Sequence, residues 1–195
     1  MSNPTTPYGF KYDGLIEGLE PNFGVYSSNI SVTNTASMYQ GDPAIFTSGY
    51  FTVATATGGT GAPIVGVFID FSWLSISAGM RVRNRAWLGQ TADIVSGGTL
   101  DCKVAVGSNL VLQARVTGAS ANPIVQANVG EYVNFATGSA PGANLVSTFS
   151  IDATTLASSS TTLPFQVYRI LQPPYSDPTS ADNDILVTLA NYKLL

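Results

Sequence analysis

Short runs of β-branched and aromatic residues, each bounded by Gly, Pro, Asn or Ser, recur along the chain from Ile30 onward. Such runs are typical of strands, and no window repeats apolar residues at the spacing that a helix of ordinary length needs. Only residues 145–156 could hold a short helical turn. We therefore predict an all-β protein with a single β-barrel or β-sandwich domain over residues 30–195. The predicted strands are residues 44–46, 50–54, 64–71, 80–87, 100–106, 110–116, 132–135, 165–171 and 185–191.

The first part of the chain, residues 1–29, differs from the rest because Gly and Pro recur too often for a long helix or strand. It is nevertheless rich in large apolar side chains, which disordered segments usually lack. We predict an extended N-terminal arm over residues 1–29, with its apolar side chains buried either on a neighbouring molecule or on its own domain. The candidate contact residues in this arm are Tyr8, Phe10, Tyr12, Leu15 and Phe23.

The surface of this protein has to be built largely from hydroxyl, amide and backbone groups. Apolar residues make up 45% of the 195 residues, but charged residues only 10%, against about 25% in an ordinary soluble domain. Interspersed charge is what keeps isolated proteins apart in solution, so such a surface suits a protein packed against neighbours. The net charge of −4 argues against nucleic acid as a partner, because phosphate binding needs concentrated positive charge.

Catalytic residue sets are scarce. The chain contains no His, which excludes Ser-His-Asp and Cys-His catalysis and removes the commonest zinc ligand. The lone Cys102 can form no intrachain disulfide, and we expect it to be a small buried apolar side chain. Asp177, Asp182 and Asp184 could offer oxygen ligands to Ca²⁺, but their spacing is not that of an EF-hand loop and a turn is favoured. We expect a protein that is not an enzyme and needs no cofactor or metal.

The beginning of the chain, MSNPTTPYGF, has neither a basic region nor an apolar stretch of the kind found in export signals. The most apolar run, residues 62–74, is too short for a membrane span and contains Asp70. We therefore expect no membrane partner. The lone cysteine, which can form no intrachain disulfide, favours folding in a reducing cytoplasm.

One predicted strand, residues 80–87, carries the only concentrated positive charge. With alternating side chains, Arg81, Arg83 and Arg85 fall on one face and the strand ends at Trp87. Arg forms paired hydrogen bonds with carboxylates, so this face is a candidate contact to an acidic protein surface. The other interpretation is the solvated outer face of a half-buried strand.

The order of several short motifs resembles head-associated decoration or cement proteins of tailed bacteriophages, and the likeness runs over nearly the whole chain. The motifs are Pro7-Tyr8-Gly9-Phe10-Lys11, Gly41-Asp42-Pro43, Ile64-Val65-Gly66-Val67-Phe68, the basic strand that ends at Trp87, the strand pair from Asp101 to Val116, Ala127-Asn128-Val129-Gly130, the Ser/Thr-rich residues 150–162, Tyr168-Arg169-Ile170-Leu171 and Leu186-Val187.

This resemblance implies a β-rich virion protein that binds the outside of the capsid and cements neighbouring major capsid protein subunits. It also implies self-association, with a homotrimer favoured and a dimer as the second choice. Gly41-Asp42-Pro43 would serve as a turn that sets a strand register. The alternative function is a carbohydrate-binding or host-recognition β-sandwich, in which Tyr39, Tyr50 and Trp73 would form a stacking platform.

Overall fold

The computed structural model describes residues 6–16, 24–55, 63–117, 123–138 and 145–191. These residues form strands and two single-turn 3-10 helices, Thr91–Asp93 and Gln126–Asn128, which confirms the prediction of an all-β protein. No helix within the described ranges is long and apolar enough to cross a membrane. The strands are β1 (Lys11–Leu15), β2 (Gly24–Ile30), β3 (Ser37–Tyr39), β4 (Pro43–Thr47), β5 (Tyr50–Val53), β6 (Gly66–Leu74), β7 (Arg81–Asn84), β8 (Ala86–Leu88), β9 (Leu100–Val106), β10 (Leu110–Thr117), β11 (Tyr132–Ala136), β12 (Ser150–Ala157), β13 (Phe165–Ile170) and β14 (Asp184–Leu189).

Five strands close a small barrel in the order β10, β12, β11, β13 and β14, with β14 pairing back to β10. The contact between β10 and β12 is parallel and short, at Val116 and Thr117, whereas the other contacts are antiparallel. β1 pairs antiparallel with the beginning of β10, from Leu110 to Gln113. The first strand of the chain therefore extends the barrel sheet along the part of β10 that β12 does not reach.

A second sheet has the order β2-β9-β6-β4-β5, and β7 pairs with β6 beside it. The sheet curls so far that its two edge strands come into contact. The ring of Tyr26 on β2 lies edge-on to Phe51 on β5, with centroids 6.0 Å apart. The pair formed by β3 and β8 contributes Met38 and Trp87 to the apolar cluster that this sheet encloses. Val67 and Ala105 of the second sheet belong instead to the barrel cluster, so the two sheets share a packed interior.

The predicted arm, residues 1–29, is not a separate element along its described part. Phe10 is 2% exposed and stacks on Phe165 inside the barrel cluster, with ring centroids 4.7 Å apart. The following residues form β1, and β2 lies on β9 in the second sheet. The boundary at residue 29 therefore falls inside a strand. Burial of aromatic side chains and strand pairing tie this segment to its own domain, the second of the two options that the sequence left open.

Candidate functional site

One face of the second sheet is open to solvent and polar, and we call it the charged face. Residues directly opposite each other on paired strands point to the same side of a sheet, and the register between β2, β9, β6 and β7 brings polar side chains together there. They line a shallow concavity of about 500 Å³. The residues of the charged face are Ser27, Asn29, Asp70, Ser72, Arg81, Arg83, Asp101 and Lys103.

A β-bulge sets which residues of β6 reach the charged face. Phe68 and Phe71 both belong to the enclosed apolar cluster although they are an odd number of positions apart. The register shifts between Phe68 and Asp70, so one extra residue, Ile69, is accommodated there. Without this bulge the alternation would turn Asp70 into the apolar cluster and Phe71 out to solvent. The bulge therefore places the Asp70 carboxylate on the charged face, where Arg83 binds it.

Two ion pairs organise the charged face. Arg83 binds Asp70, with Nε donating to Oδ2 at 2.9 Å, and Arg81 binds Asp101 and donates to Ser72 Oγ at 3.1 Å. The two Arg side chains are 58% and 64% exposed, whereas their Asp partners are only 27% and 11% exposed. Exposed ion pairs add little to stability. Their effect here is to hold the guanidinium groups in place with N–H donors directed at solvent.

The turn between β6 and β7 presents large apolar side chains beside the charged face. Ile76 and Met80 are 58% and 62% exposed, and Leu74 lies opposite Arg81 in the strand register. We call these three residues the apolar tip. A cluster of exposed large apolar side chains bordered by polar residues makes the apolar tip a candidate protein contact surface.

Asp93, the last residue of the 3-10 helix Thr91–Asp93, forms hydrogen bonds with the turn between β6 and β7. Its carboxylate accepts hydrogen bonds from Trp73 Nε1 at 3.0 Å, Ser75 Oγ at 2.7 Å and the backbone N–H of Ser77 at 2.9 Å. These donors, Trp73 first, hold the pKa of Asp93 well below its usual range. The apolar tip is therefore held in a fixed shape, which lowers the entropy cost of binding a partner through it.

The structure separates the three arginines that the strand pattern placed on one face. Arg81 and Arg83 do share the charged face, but β7 ends at Asn84 and the chain bends before β8 begins at Ala86. Arg85 lies at that bend and lines a different groove, together with Lys11 and Tyr12. The prediction was wrong for Arg85 because a break in the strand interrupts the alternation.

The predicted aromatic contact residues divide between core and surface. Trp87 is fully buried against Trp73 and donates from Nε1 to the carbonyl of Asn34 at 3.1 Å, so it is a core residue, as is Phe10. Their prediction as contact residues is corrected, because sequence pattern alone does not distinguish an aromatic core from an aromatic interface. Tyr12 remains exposed.

Three further predicted residues have different outcomes. Tyr8 is half-buried, with the Lys11 ammonium 3.9 Å from its ring centroid. Leu15 pairs with Leu110 in β1, but its side chain lies outside the described residues, as does the whole of Phe23. Residues that the sequence analysis did not assign to a contact site are Asp70, Asp101, Leu74, Ile76, Met80 and Asp93.

Other candidates from the sequence have structural roles. Asp177 accepts the backbone N–H of Thr179 at 2.9 Å, as the turn interpretation predicts. That interpretation was wrong for Asp184, which begins β14 and is buried in an ion pair with Arg115. Within the described ranges no three Asp, Glu or Cys side chains converge as a metal site. Cys102 is buried, and burial raises the pKa of its thiol to about 12. Trp73 is buried too, so it is not available for a glycan-stacking platform.

Asp42 is a buried carboxyl group at the place where three parts of the chain meet. Its Oδ2 accepts the backbone N–H of Tyr39 at 2.8 Å, and the neighbouring Gly41 carbonyl accepts the N–H of Phe10. Gly41 has a φ of 90°, and a Cβ there would lie 3.0 Å from the carbonyl oxygen of Phe10, so glycine is required. Burial raises the pKa of Asp42 to about 6, although the neighbouring Ser147 hydroxyl and the Tyr39 N–H act to lower it.

We expect the Asp42→Asn variant to be more stable than the wild type at neutral pH. The pKa of Asp42 is about 6 in the folded protein, against an ordinary value of 3.8. The favourable contribution of Asp42 to folding stability is therefore present below the ordinary pKa and is lost as pH rises through the pKa of the folded protein. The difference corresponds to at most about 3 kcal/mol. Urea unfolding of both proteins from about pH 4 to about pH 8 measures it.

The control for this prediction is Asp13→Asn, which removes an exposed carboxylate from β1. The free energy gap between wild type and Asp42→Asn should open as pH rises, whereas the Asp13→Asn gap should not. A gap for Asp42→Asn that stays constant across the pH range would contradict the buried-carboxyl interpretation.

Comparison of the chain with protein-family models, with curated proteins and with solved structures found no match.

Proposed function

We propose that this chain is a non-catalytic virion structural protein of a tailed bacteriophage. It binds the outside of the capsid and cements neighbouring major capsid protein subunits, and thereby stabilises the mature head. It folds in the host cytoplasm and stays on the capsid exterior. The observation that carries the proposal is that the apolar tip lies beside the charged face, where Leu74 is opposite Arg81 on neighbouring strands.

This surface has the features of a protein contact site. The apolar tip can be buried against a partner, while the guanidinium groups of Arg81 and Arg83 can pair with carboxylates or carbonyl oxygens around it. Both groups are already oriented by Asp70 and Asp101, so little side-chain entropy is lost on binding. The charged face has three cations against two carboxylates, whereas the whole chain has a net charge of −4.

The composition and the order of motifs support the same proposal. A chain with 10% charged residues suits a protein whose surface is largely in contact with neighbouring molecules. The motif order resembles phage decoration proteins, from Gly41-Asp42-Pro43 in the first half to Leu186-Val187 near the end. Self-association as a homotrimer, or as a dimer, would place several such surfaces on one particle.

The mechanism of stabilisation is mass action. A protein that binds only the assembled shell favours that shell by RT ln(1 + [L]/Kd) at each site, and a shell offers many sites. A modest affinity for each copy is therefore enough to raise the stability of the whole particle, and no chemical step is needed.

We expect replacement of both Arg81 and Arg83 by Gln to weaken capsid binding about tenfold at low salt, because each Arg supplies an ion pair to the partner worth up to about 1 kcal/mol. The loss should shrink at high salt, where exposed charges are screened. Cosedimentation with capsids lacking the protein, at several salt concentrations, measures this. Both Arg side chains are exposed, but Asp70 is only 11% exposed and loses its partner, so urea unfolding is needed to show that the variant is folded under the binding conditions.

The matched control is Arg169→Gln, which removes an exposed cation from β13, away from the charged face. Ile76→Ser tests the apolar tip and should weaken binding at every salt concentration. Capsid binding that is changed neither by the double replacement of Arg81 and Arg83 nor by Ile76→Ser would contradict the proposed surface. Wild-type binding to host-cell glycans, with none to capsids, would favour the carbohydrate-binding alternative instead.

A further inference from the structure

A second concave surface lies between the N-terminal segment, the middle of β6 and the residues just before β12. It has a volume of about 480 Å³ and shares no residue with the charged face or the apolar tip. We call it the inter-sheet groove. The lining residues that matter here are Lys11, Tyr12, Gln40, Ile69, Arg85 and Val146.

The inter-sheet groove is apolar with cations at its sides. Tyr12 and Val146 expose large apolar side chains there, and half-buried Ile69 lines it from the bulge of β6. Among the described residues that line it, the charged ones are Lys11 and Arg85 and none is acidic, although the chain as a whole has a net charge of −4. An apolar concavity with a few convergent polar groups is the usual form of a binding site.

A side-chain contact places the Lys11 ammonium near the groove, and a backbone hydrogen bond holds the main chain of Arg85 there. The Lys11 ammonium lies over the ring of Tyr8, 3.9 Å from its centroid. The backbone carbonyl of Arg85 accepts the N–H of Gln40 at 2.7 Å, and Gln40 forms a bridge with Val146. Neither cation pairs with a carboxylate among the described residues. Both charges are therefore available to a ligand.

We propose that the inter-sheet groove binds an acidic peptide segment of a partner protein, in which carboxylates flank a large apolar side chain. The apolar side chain would lie against Ile69 and Val146, and the carboxylates would pair with Lys11 and Arg85. A basic segment would be repelled, and a polar side chain at the centre would lose the apolar contact. This site is additional to the capsid-binding surface and does not depend on it.

Fluorescence anisotropy of the full chain with labelled peptides tests the proposal. The probe is a short Gly-Ser peptide with a central Glu-Leu-Glu sequence, and the comparison peptides carry Lys-Leu-Lys or Glu-Ser-Glu at the same place. We expect saturable binding of the Glu-Leu-Glu peptide at least about tenfold tighter than either comparison peptide. Arg85→Gln and Lys11→Gln should each weaken it about fivefold, while Arg169→Gln leaves it unchanged.

Several results would overturn the proposal. They are equal affinity for the acidic and basic peptides, binding that neither Arg85→Gln nor Lys11→Gln alters, or no saturation at millimolar peptide. Dodecanoate tests a lipid occupant, because it offers one carboxylate on an apolar chain. If dodecanoate binds the groove more tightly than the Glu-Leu-Glu peptide, the peptide assignment is wrong. The peptide comparison uses the wild-type protein, so it remains decisive even if a variant folds poorly.

Discussion

The Phe10→Ala variant should lose about 3 to 5 kcal/mol of folding free energy, a large part of the total for a domain of this size. Phe10 is buried in the barrel cluster, stacked on Phe165, and its N–H is bonded to the Gly41 carbonyl. Truncation would leave a cavity and remove the stacking contact. Urea unfolding followed by tryptophan fluorescence measures the loss, because Trp73 and Trp87 report on the neighbouring cluster.

Tyr12→Ala is the matched control, since Tyr12 is an aromatic residue of the same segment that is 45% exposed. We expect it to change the free energy of unfolding by less than about 1 kcal/mol. Deletion of residues 1–26 should, for the same reason as Phe10→Ala, leave a protein that does not fold stably. Equal, small effects of Phe10→Ala and Tyr12→Ala would show that the N-terminal segment is a removable arm after all.

The Arg115→Met variant should be destabilised by about 3 to 5 kcal/mol. Arg115 and Asp184 lie opposite each other on β10 and β14, both at least 95% buried, joined by Nε–Oδ1 and Nη2–Oδ2 bonds of 2.9 and 3.0 Å. Arg115 also donates to the Thr6 carbonyl at 2.9 Å, and its guanidinium carbon is 4.9 Å from the Tyr8 ring centroid. Its removal leaves an uncompensated carboxylate inside the protein.

The double variant Arg115→Met/Asp184→Leu separates this cost from the value of the ion pair itself. Replacement of both charges by apolar groups removes the uncompensated carboxylate, so we expect the double variant to recover most of the lost stability. Unfolding free energies of the two single variants and the double variant complete the cycle. A double variant as unstable as Arg115→Met would contradict the interpretation, and would assign the loss to the contacts with Thr6 and Tyr8.

Much of the fold follows from the sequence because strands with β-branched and aromatic runs are visible locally. Each predicted strand overlaps an observed one, from β4 to β14. The strands that were not predicted are β1, β2, β3 and β12. In β12 the only large apolar residues, Ile151 and Leu156, are an odd number of positions apart and separated by Asp, Ala and two Thr, so the alternation is weak. This segment was the one considered for a helical turn, and its pairing with β10 and β11 makes it a strand.

The candidate site was harder to predict because it depends on which strands are neighbours. Arg81 and Arg83 were recognisable from their alternation, but their partners Asp101 and Asp70 come from two other strands. The bulge that turns Asp70 toward the charged face cannot be recognised from the residue types of β6. The sequence also does not show whether Phe10 and Trp87 are buried in a core or in an interface, since an aromatic side chain is apolar in both places.

The most direct test of the proposed cement function is calorimetry of capsids lacking the protein, titrated with the purified chain. We expect the melting temperature of the capsids to rise with added protein and to level off at a fixed number of copies per particle. An unchanged melting temperature at protein concentrations that saturate cosedimentation would contradict a cement function, even though the protein binds.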